Sequence, residues 1–174
     1  MRSDVKELLS RLPASEREAL LIKGWMSHDA RWFMAVADRF GIDAANQLNQ
    51  IVCRELGRIE MKRFMNTLNL SPPKNLDDHL NLNRAAISLY GPDLIEYGIE
   101  ILDHRSYKIH LQKCFAYENI VEAGIKDQYE CGIFARLQGW IDAQGLEHEI
   151  SPPLAKCRKA LGEECSYLIT IRFR

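Results

Sequence analysis

The 174-residue sequence has no long apolar segment and no block of like charge. No stretch approaches the roughly 18 uncharged apolar residues that a membrane-spanning helix needs. Its 23 Lys and Arg residues are scattered among 24 Asp and Glu residues, so we expect no basic groove for nucleic acid. The first residues, MRSDVKELLS, lack the apolar core of a secretory signal. These absences favour a soluble cytoplasmic protein that binds neither nucleic acid nor a membrane.

Cysteine is scarce, with five residues in the chain, and four of the five lie in the second half. Because disulfides are disfavoured in the cytoplasm, a cysteine cluster there suggests a metal site or reactive thiols. Zinc takes about four thiolate, imidazole or carboxylate ligands. No CxxC pair is present, so the spacing leaves two alternatives, namely a zinc site or buried free thiols that pack as small apolar side chains. The four residues are Cys114, Cys131, Cys157 and Cys165.

The first half of the chain has helical periodicity. Apolar residues at helical spacing predict a long helix that ends at Gly41 and a second helix from Asp43 to about Leu68. The prolines of LSPPKN interrupt the pattern, and a shorter helix follows from about Asp77 to Tyr90.

Two polar patterns lie on these helices. His28 and Asp29 do not share a helix face, and we interpret them as polar neighbours of an aromatic packing seam rather than as an acid–base pair. The second helix carries a stripe of small and polar residues that is suited to a pocket wall or a helix–helix contact. A solvated face is the simpler interpretation of this stripe, which consists of Asn46, Asn49, Cys53, Gly57 and Glu60.

The second half changes to the period of two that is typical of strands. YGIEILDHRSYKIHLQ predicts a hairpin that turns at DHRS, CGIFARLQGWIDAQGL predicts a helix, and LEHEI and SYLITIRF predict two more strands. The expected fold is therefore α+β, with long N-terminal helices followed by a strand–strand–helix–strand–strand antiparallel sheet. We expect a helical segment over residues 1–90 and an α+β module over residues 91–174, in one compact unit.

The segments CGIFARLQGW and KCRKALGEECSYLITIRF give residues 93–174 a resemblance to the 4-vinyl reductase type of domain. This α+β module binds small molecules in bacteriochlorophyll biosynthesis accessory proteins and in the sensors of aromatic-responsive transcriptional activators. The resemblance implies a binding protein for a small aromatic or heterocyclic molecule.

In the sensor members, three cysteines and a glutamate hold zinc. The resemblance carries the three cysteines over to Cys131, Cys157 and Cys165. The position of the glutamate is Leu154 here. A structural zinc ion would therefore take its fourth ligand from Cys114, Glu149 or His148.

The chain also resembles the broader L-2-amino-thiazoline-4-carboxylic acid hydrolase-like group, through helices such as WMSHDARWFMAVADRFGIDAANQLN. This resemblance implies an alternative function, the hydrolysis of a small ring amide or thiazoline. Cys131 would be the candidate nucleophile and His110 its base. The two functions compete for Cys131, because a thiolate bound to zinc is a poor nucleophile. We favour binding.

In the sensor members the ligand lies between this kind of hairpin and the helices, which makes Tyr107 and His110 candidate ligand contacts. Trp140 is foremost a core residue and a third candidate. A lone histidine on a strand is more commonly exposed. The apolar stripes on the two long helices also favour a homodimer, although such stripes equally suit an internal core.

Overall fold

The computed structural model describes residues 2–173 and confirms the α+β fold, with long helices first and an antiparallel sheet after them. Two of its helices, α1 and α5, were not predicted from the sequence. No helix in residues 2–173 is long and apolar enough to cross a membrane. The elements are α1 (Arg2–Ser10), α2 (Ala14–Phe40), α3 (Ile42–Thr67), α4 (Leu76–Tyr90), β1 (Ile95–Ile101), β2 (Ser106–Cys114), α5 (Phe115–Glu122), α6 (Ile133–Ala143), β3 (Glu147–Ser151) and β4 (Ser166–Arg172).

The four strands form one antiparallel sheet in the order β1-β2-β4-β3. The β1–β2 hairpin turns at Asp103, whose carboxylate accepts hydrogen bonds from the backbone N–H groups of Arg105 and Ser106. The last strand, β4, lies between β2 and β3 and so joins the two halves of the sheet. Alternate residues of β2 are buried, as the period of two predicts.

Helix α6 covers one face of the sheet, where the main core lies. Its apolar face packs against the buried side chains of β2 and β4, and Phe134 and Tyr167 lie with ring centroids 4.1 Å apart. Buried residues of α3 and α4, including Met61 and Leu80, belong to the same core. The helical segment and the sheet therefore share one hydrophobic core.

Helices α3 and α6 pack with their backbones close together because each has a glycine at the contact. A Cβ atom on Gly57 would overlap the main-chain carbonyl of Arg136, and one on Gly139 would overlap the carbonyl of Arg54. The preceding helix, α2, turns into α3 at Gly41, which has a positive φ of 90°. Only Val36 of α2 is fully buried, so this helix lies on the outside of the molecule.

A buried polar network fixes α4 beneath the sheet. His79 of α4 is bound through Nδ1 to Gln144 Oε1 at 2.7 Å, and its Nε2 lies 3.0 Å from the hydroxyl of Tyr107. Asn83 Nδ2 donates to the same Nε2 at 3.0 Å, and Gln144 Nε2 donates to Asn83 Oδ1. A neutral imidazole with its proton on Nδ1 donates to Gln144, and the single lone pair of Nε2 is shared by the Tyr107 hydroxyl and the Asn83 amide.

Candidate functional site

The candidate site is an apolar cavity of about 140 Å³ between α2, α3, α5 and α6. A water molecule needs roughly 10–15 Å³ of such space, so about ten non-hydrogen atoms fit. The wall is rich in aromatic and methionine side chains, which tolerate ligands of varied shape. These are Trp25, Met26, Phe33 and Met34 from α2, Phe115 from the start of α5, and Tyr129 from the loop before α6.

A second apolar cavity of about 60 Å³ lies beside the first, towards α4, β1 and β2. Phe115, Ile133 and Arg136 line both cavities and so form the partition between them. Because two of these three side chains are purely apolar, the partition offers a long ligand few polar contacts.

Three residues form a weakly polar patch in the wall of the main cavity. Asn49 Nδ2 donates to the Tyr129 hydroxyl at 3.4 Å, and the Cys53 thiol donates to Asn49 Oδ1 at 3.4 Å. Burial raises the pKa of Cys53 to about 12, and the nearby Asp29 carboxylate acts in the same direction. The thiol is therefore neutral at physiological pH.

Arg136 brings a positive charge to the cavity wall, but this charge is already compensated. Its Nε and Nη2 donate to the two carboxylate oxygens of Glu60 at 2.7 and 2.6 Å. Trp140 Nε1 donates to Glu60 at 3.0 Å, and the guanidinium lies 4.8 Å from the ring centroid of Trp25. The pair is thus held by charge-assisted hydrogen bonds and a cation–π contact.

Asp29 of α2 also lines the cavity and is only partly exposed. Burial raises the pKa of its carboxyl, and the charges of Arg136 and His28 oppose this effect. Arg136, the cation that lowers its pKa most, gives its direct hydrogen bonds to Glu60 instead. The charge of this carboxylate is therefore not compensated by a direct hydrogen bond from Arg136.

The predicted zinc site is wrong. In the part of the chain that the structure describes, no three His, Cys, Asp or Glu side chains are grouped so that they could hold a metal ion. Cys114, Cys131 and Cys165 belong to the main core, and Cys157 packs in a smaller apolar cluster with Ile120. The fold does bring these cysteines near one another, since burial and, to a smaller extent, neighbouring cysteines raise the pKa of Cys114, Cys131 and Cys165. The alternative of buried free thiols describes these residues.

Burial keeps these thiols protonated where no metal ion is bound. It raises the pKa of Cys131 to about 12 and that of Cys165 to about 11. Backbone N–H groups of Phe134 and Ile133, at the start of α6, lower the pKa of Cys131, but burial has the larger effect. Without a metal ion these residues are therefore neutral thiols.

The predicted hydrolase-like site, with Cys131 as nucleophile and His110 as its base, is also wrong. Cys131 packs with Ile109 in the core on the α6 side of the sheet. His110 follows Ile109 on β2 and therefore points to the opposite face, where its ring lies against Gly98 of β1. A neutral thiol and an imidazole on opposite faces of a sheet cannot act as nucleophile and base.

The predicted ligand contacts lie outside the main cavity. Tyr107 is buried in the His79 network, His110 lies on the far face of the sheet, and Trp140 lines only the smaller cavity. Their role in ligand binding stays a prediction, and Trp140 is the one of the three that lines a cavity.

The polar stripe on α3 is buried at Asn46, Gly57 and Glu60 and half-buried at Asn49 and Cys53, so the solvated-face interpretation is wrong. Asn46 donates to the carbonyl of Gln128 at 2.7 Å and accepts from the N–H of Glu130 at 3.1 Å. The same face of α3 supplies Cys53 to the cavity and Glu60 to the ion pair. The helical spacing indicated this face correctly, and its small and polar residues mark both a pocket wall and a helix contact.

Comparisons with known proteins show one similar solved structure and one family model that matches part of the chain. Residues 13–92 match the model of a family of unknown function, DUF6125. No curated protein matches the sequence. The crystal structure of a trafficking protein particle complex subunit 3 from Naegleria fowleri, covalently bound to palmitic acid, is similar with a TM-score of 0.59 and 16% identity. The match covers 91% of this chain and 98% of that chain, and at this identity it shows a shared fold alone.

Proposed function

We propose that this protein binds a small, mostly apolar molecule of about ten non-hydrogen atoms in the cavity between α2, α3, α5 and α6. The observation that carries the proposal is the cavity itself, about 140 Å³ in volume and lined by aromatic, methionine and aliphatic side chains. The rings of Trp25, Phe33 and Phe115 favour an aromatic or heterocyclic ligand, the class predicted from the sequence.

The similar trafficking complex subunit supports a binding function, since a protein of the same fold carries palmitic acid. A long acyl chain would not fit in the main cavity of this protein. It would have to displace Phe115 or Ile133 to reach the second cavity of about 60 Å³. We therefore expect a compact ring or a short chain rather than a long fatty acid.

Isothermal titration calorimetry with 2-phenylethanol and 1-octanol tests this proposal. Ligands of this size bind with a Kd between about 1 µM and 1 mM when a pocket encloses them. Ala30 lines the cavity and is itself exposed, so Ala30→Trp covers the opening without disturbing the core and weakens binding at least about tenfold. Ala35→Trp, on an exposed part of the same helix away from the cavity, is the matched control.

The result that would overturn the proposal is an absence of binding by both probes to the folded protein. Equal binding by the Ala30→Trp and Ala35→Trp variants would place the bound probes elsewhere and would also contradict it.

The predicted homodimer stays a prediction. The outer face of α3 exposes Leu48, Ile51 and Ile59, and contiguous apolar patches of this kind commonly mark interaction surfaces. Light scattering would give a mass of twice 20.1 kDa for a dimer. Ile51→Asp would then reduce the mass to that of the monomer, and Asn81→Asp, on the exposed side of α4, would leave it unchanged.

A further inference from the structure

We propose that Asp29 makes the cavity selective for ligands whose polar end is a protonated amine, and that it excludes ligands whose polar end is a carboxylate. This inference rests on the proposed function, because it assigns the ligand of the same cavity. Asp29 would determine the polar end of that ligand, whereas the apolar wall would bind the rest of the molecule.

The position of Asp29 on α2 directs its carboxylate towards the bound molecule. Trp25 and Phe33, four residues before and after it, also line the cavity. Residues spaced by four lie on the same face of a helix. A ligand that rests against these two rings therefore meets the Asp29 carboxylate on the same helix face, whereas Arg136 lies 4.8 Å from the centroid of the Trp25 ring and is held by Glu60.

The charge balance of the wall gives the sign of the preferred ligand. The wall has two charged side chains, Asp29 and Arg136. Glu60 accepts two hydrogen bonds from Arg136 at 2.7 and 2.6 Å and balances its charge in the sum over the site, although the guanidinium still counteracts the effect of burial, which raises the pKa of Asp29. The remaining polar side chains are neutral, which leaves one negative charge at the site, and they are Asn49, Cys53, Asn119 and Tyr129.

The environment of Asp29 strengthens this preference. The carboxylate is partly removed from water, and the direct hydrogen bonds of Arg136 go to Glu60 rather than to it. A ligand that covers it must replace its remaining water contacts. An ammonium group does so with a charge-assisted hydrogen bond, whereas a carboxylate adds a second negative charge in the same poorly solvated space.

A matched series of head groups tests the inference by calorimetry at pH 7.5. The probes are phenethylamine, 2-phenylethanol and phenylacetate, which share one aromatic ring and differ mainly in the charge of the polar end. We expect the amine to bind at least about tenfold more tightly than phenylacetate. We likewise expect octylamine to bind more tightly than octanoate, with 1-octanol as the uncharged probe, because Asp29 selects the head group.

The variant Asp29→Asn keeps the shape of the side chain and removes its charge, and we expect it to reduce the preference for the amine to less than about threefold. Its matched control is Asp38→Asn, which removes an exposed carboxylate of the same helix and leaves the preference unchanged. Added salt should lower the preference in the native protein only moderately, because the partly buried pair is screened less than a surface pair.

Each result separates this inference from the proposed function. Binding of the alcohols with no preference between amine and carboxylate would overturn the role of Asp29 and leave the cavity as a binding site. An equal preference for the amine in the native protein and in Asp29→Asn would also overturn the role of Asp29. Failure of every probe to bind would overturn both proposals. If Asp29→Asn did not fold, the preference of the native protein would still decide, since tighter binding of phenylacetate contradicts the inference.

Discussion

Arg136 of α6 and Glu60 of α3 form a bidentate ion pair whose side chains are only 12% and 9% exposed. The pair joins the helical segment to the helix that covers the sheet. Because the guanidinium is buried, its neutralisation by Glu60 is a condition for the close packing of α3 on α6.

Glu60→Gln should therefore destabilise the protein by about 3–5 kcal/mol, since it leaves the guanidinium buried without a counter-charge. Urea denaturation followed by circular dichroism measures this change. Glu55→Gln is the control, because Glu55 pairs with Arg58 on the surface and its loss should cost less than about 1 kcal/mol. Equal losses for the two variants would show that burial does not determine the strength of the Glu60 pair.

The elements that were predicted correctly are those whose hydrophobic period is uninterrupted. The period of two over SYLITIRF gave β4, and helical spacing gave α3 almost to its last residue. Helix α5 was missed because its eight residues follow β2 without a turn signal. Because α5 supplies one wall of the cavity, the cavity could not be predicted without this helix.

The candidate site was harder to predict because its residues come together from distant parts of the chain. Asn46 and Glu60 looked solvated because they are polar, and their partners lie about 80 residues away in sequence. In the sequence Asp29 stands out only as the neighbour of His28, and no local pattern shows that it faces a cavity. The spacing of the cysteines says nothing about their burial, which keeps the thiols neutral in the absence of a metal ion.

The contact between α3 and α6 should not tolerate a methyl group at either glycine. Gly57→Ala and Gly139→Ala each place a Cβ atom against a main-chain carbonyl, and the two helices can relieve the overlap only by moving apart. We expect each change to cost at least about 2 kcal/mol of unfolding free energy, as measured in urea.

Gly24→Ala is the matched control for these glycines. Gly24 lies within α2 with open space around its missing side chain, so alanine there should stabilise the protein by about 0.5–1 kcal/mol. Stabilisation by alanine at Gly57 would contradict the close approach of the two backbones.

The buried His79 should make the stability of the protein depend on pH. Burial lowers the pKa of His79 to about 4 in the folded state, below its usual value of 6.5. Between these values the unfolded chain binds more protons, so stability is complete above pH 6.5 and falls as the pH decreases towards 4. The expected loss between pH 7 and pH 4.5 is about 2 kcal/mol.

Denaturant titrations at pH 7 and pH 4.5 measure this loss. His79→Gln removes one titrating group and should reduce the pH dependence, even if it lowers stability at pH 7. Part of the dependence should remain, because burial also lowers the pKa of His148, whose charge acts on His79. His104→Gln, in the exposed β1–β2 turn, is the control. An unchanged pH dependence in His79→Gln would contradict the role of the buried network.

The cysteine thiols should react slowly while the protein is folded. Burial raises the pKa of Cys53 and of Cys131 to about 12, from 9.0, and the thiolate fraction near pH 8 falls about a thousandfold as a result. Alkylation with iodoacetamide at pH 8, followed by peptide mass spectrometry, should therefore leave both residues unmodified over a time in which glutathione reacts completely. In guanidinium chloride all five cysteines should react. Rapid modification of Cys131 in the folded protein would contradict its burial as a neutral thiol.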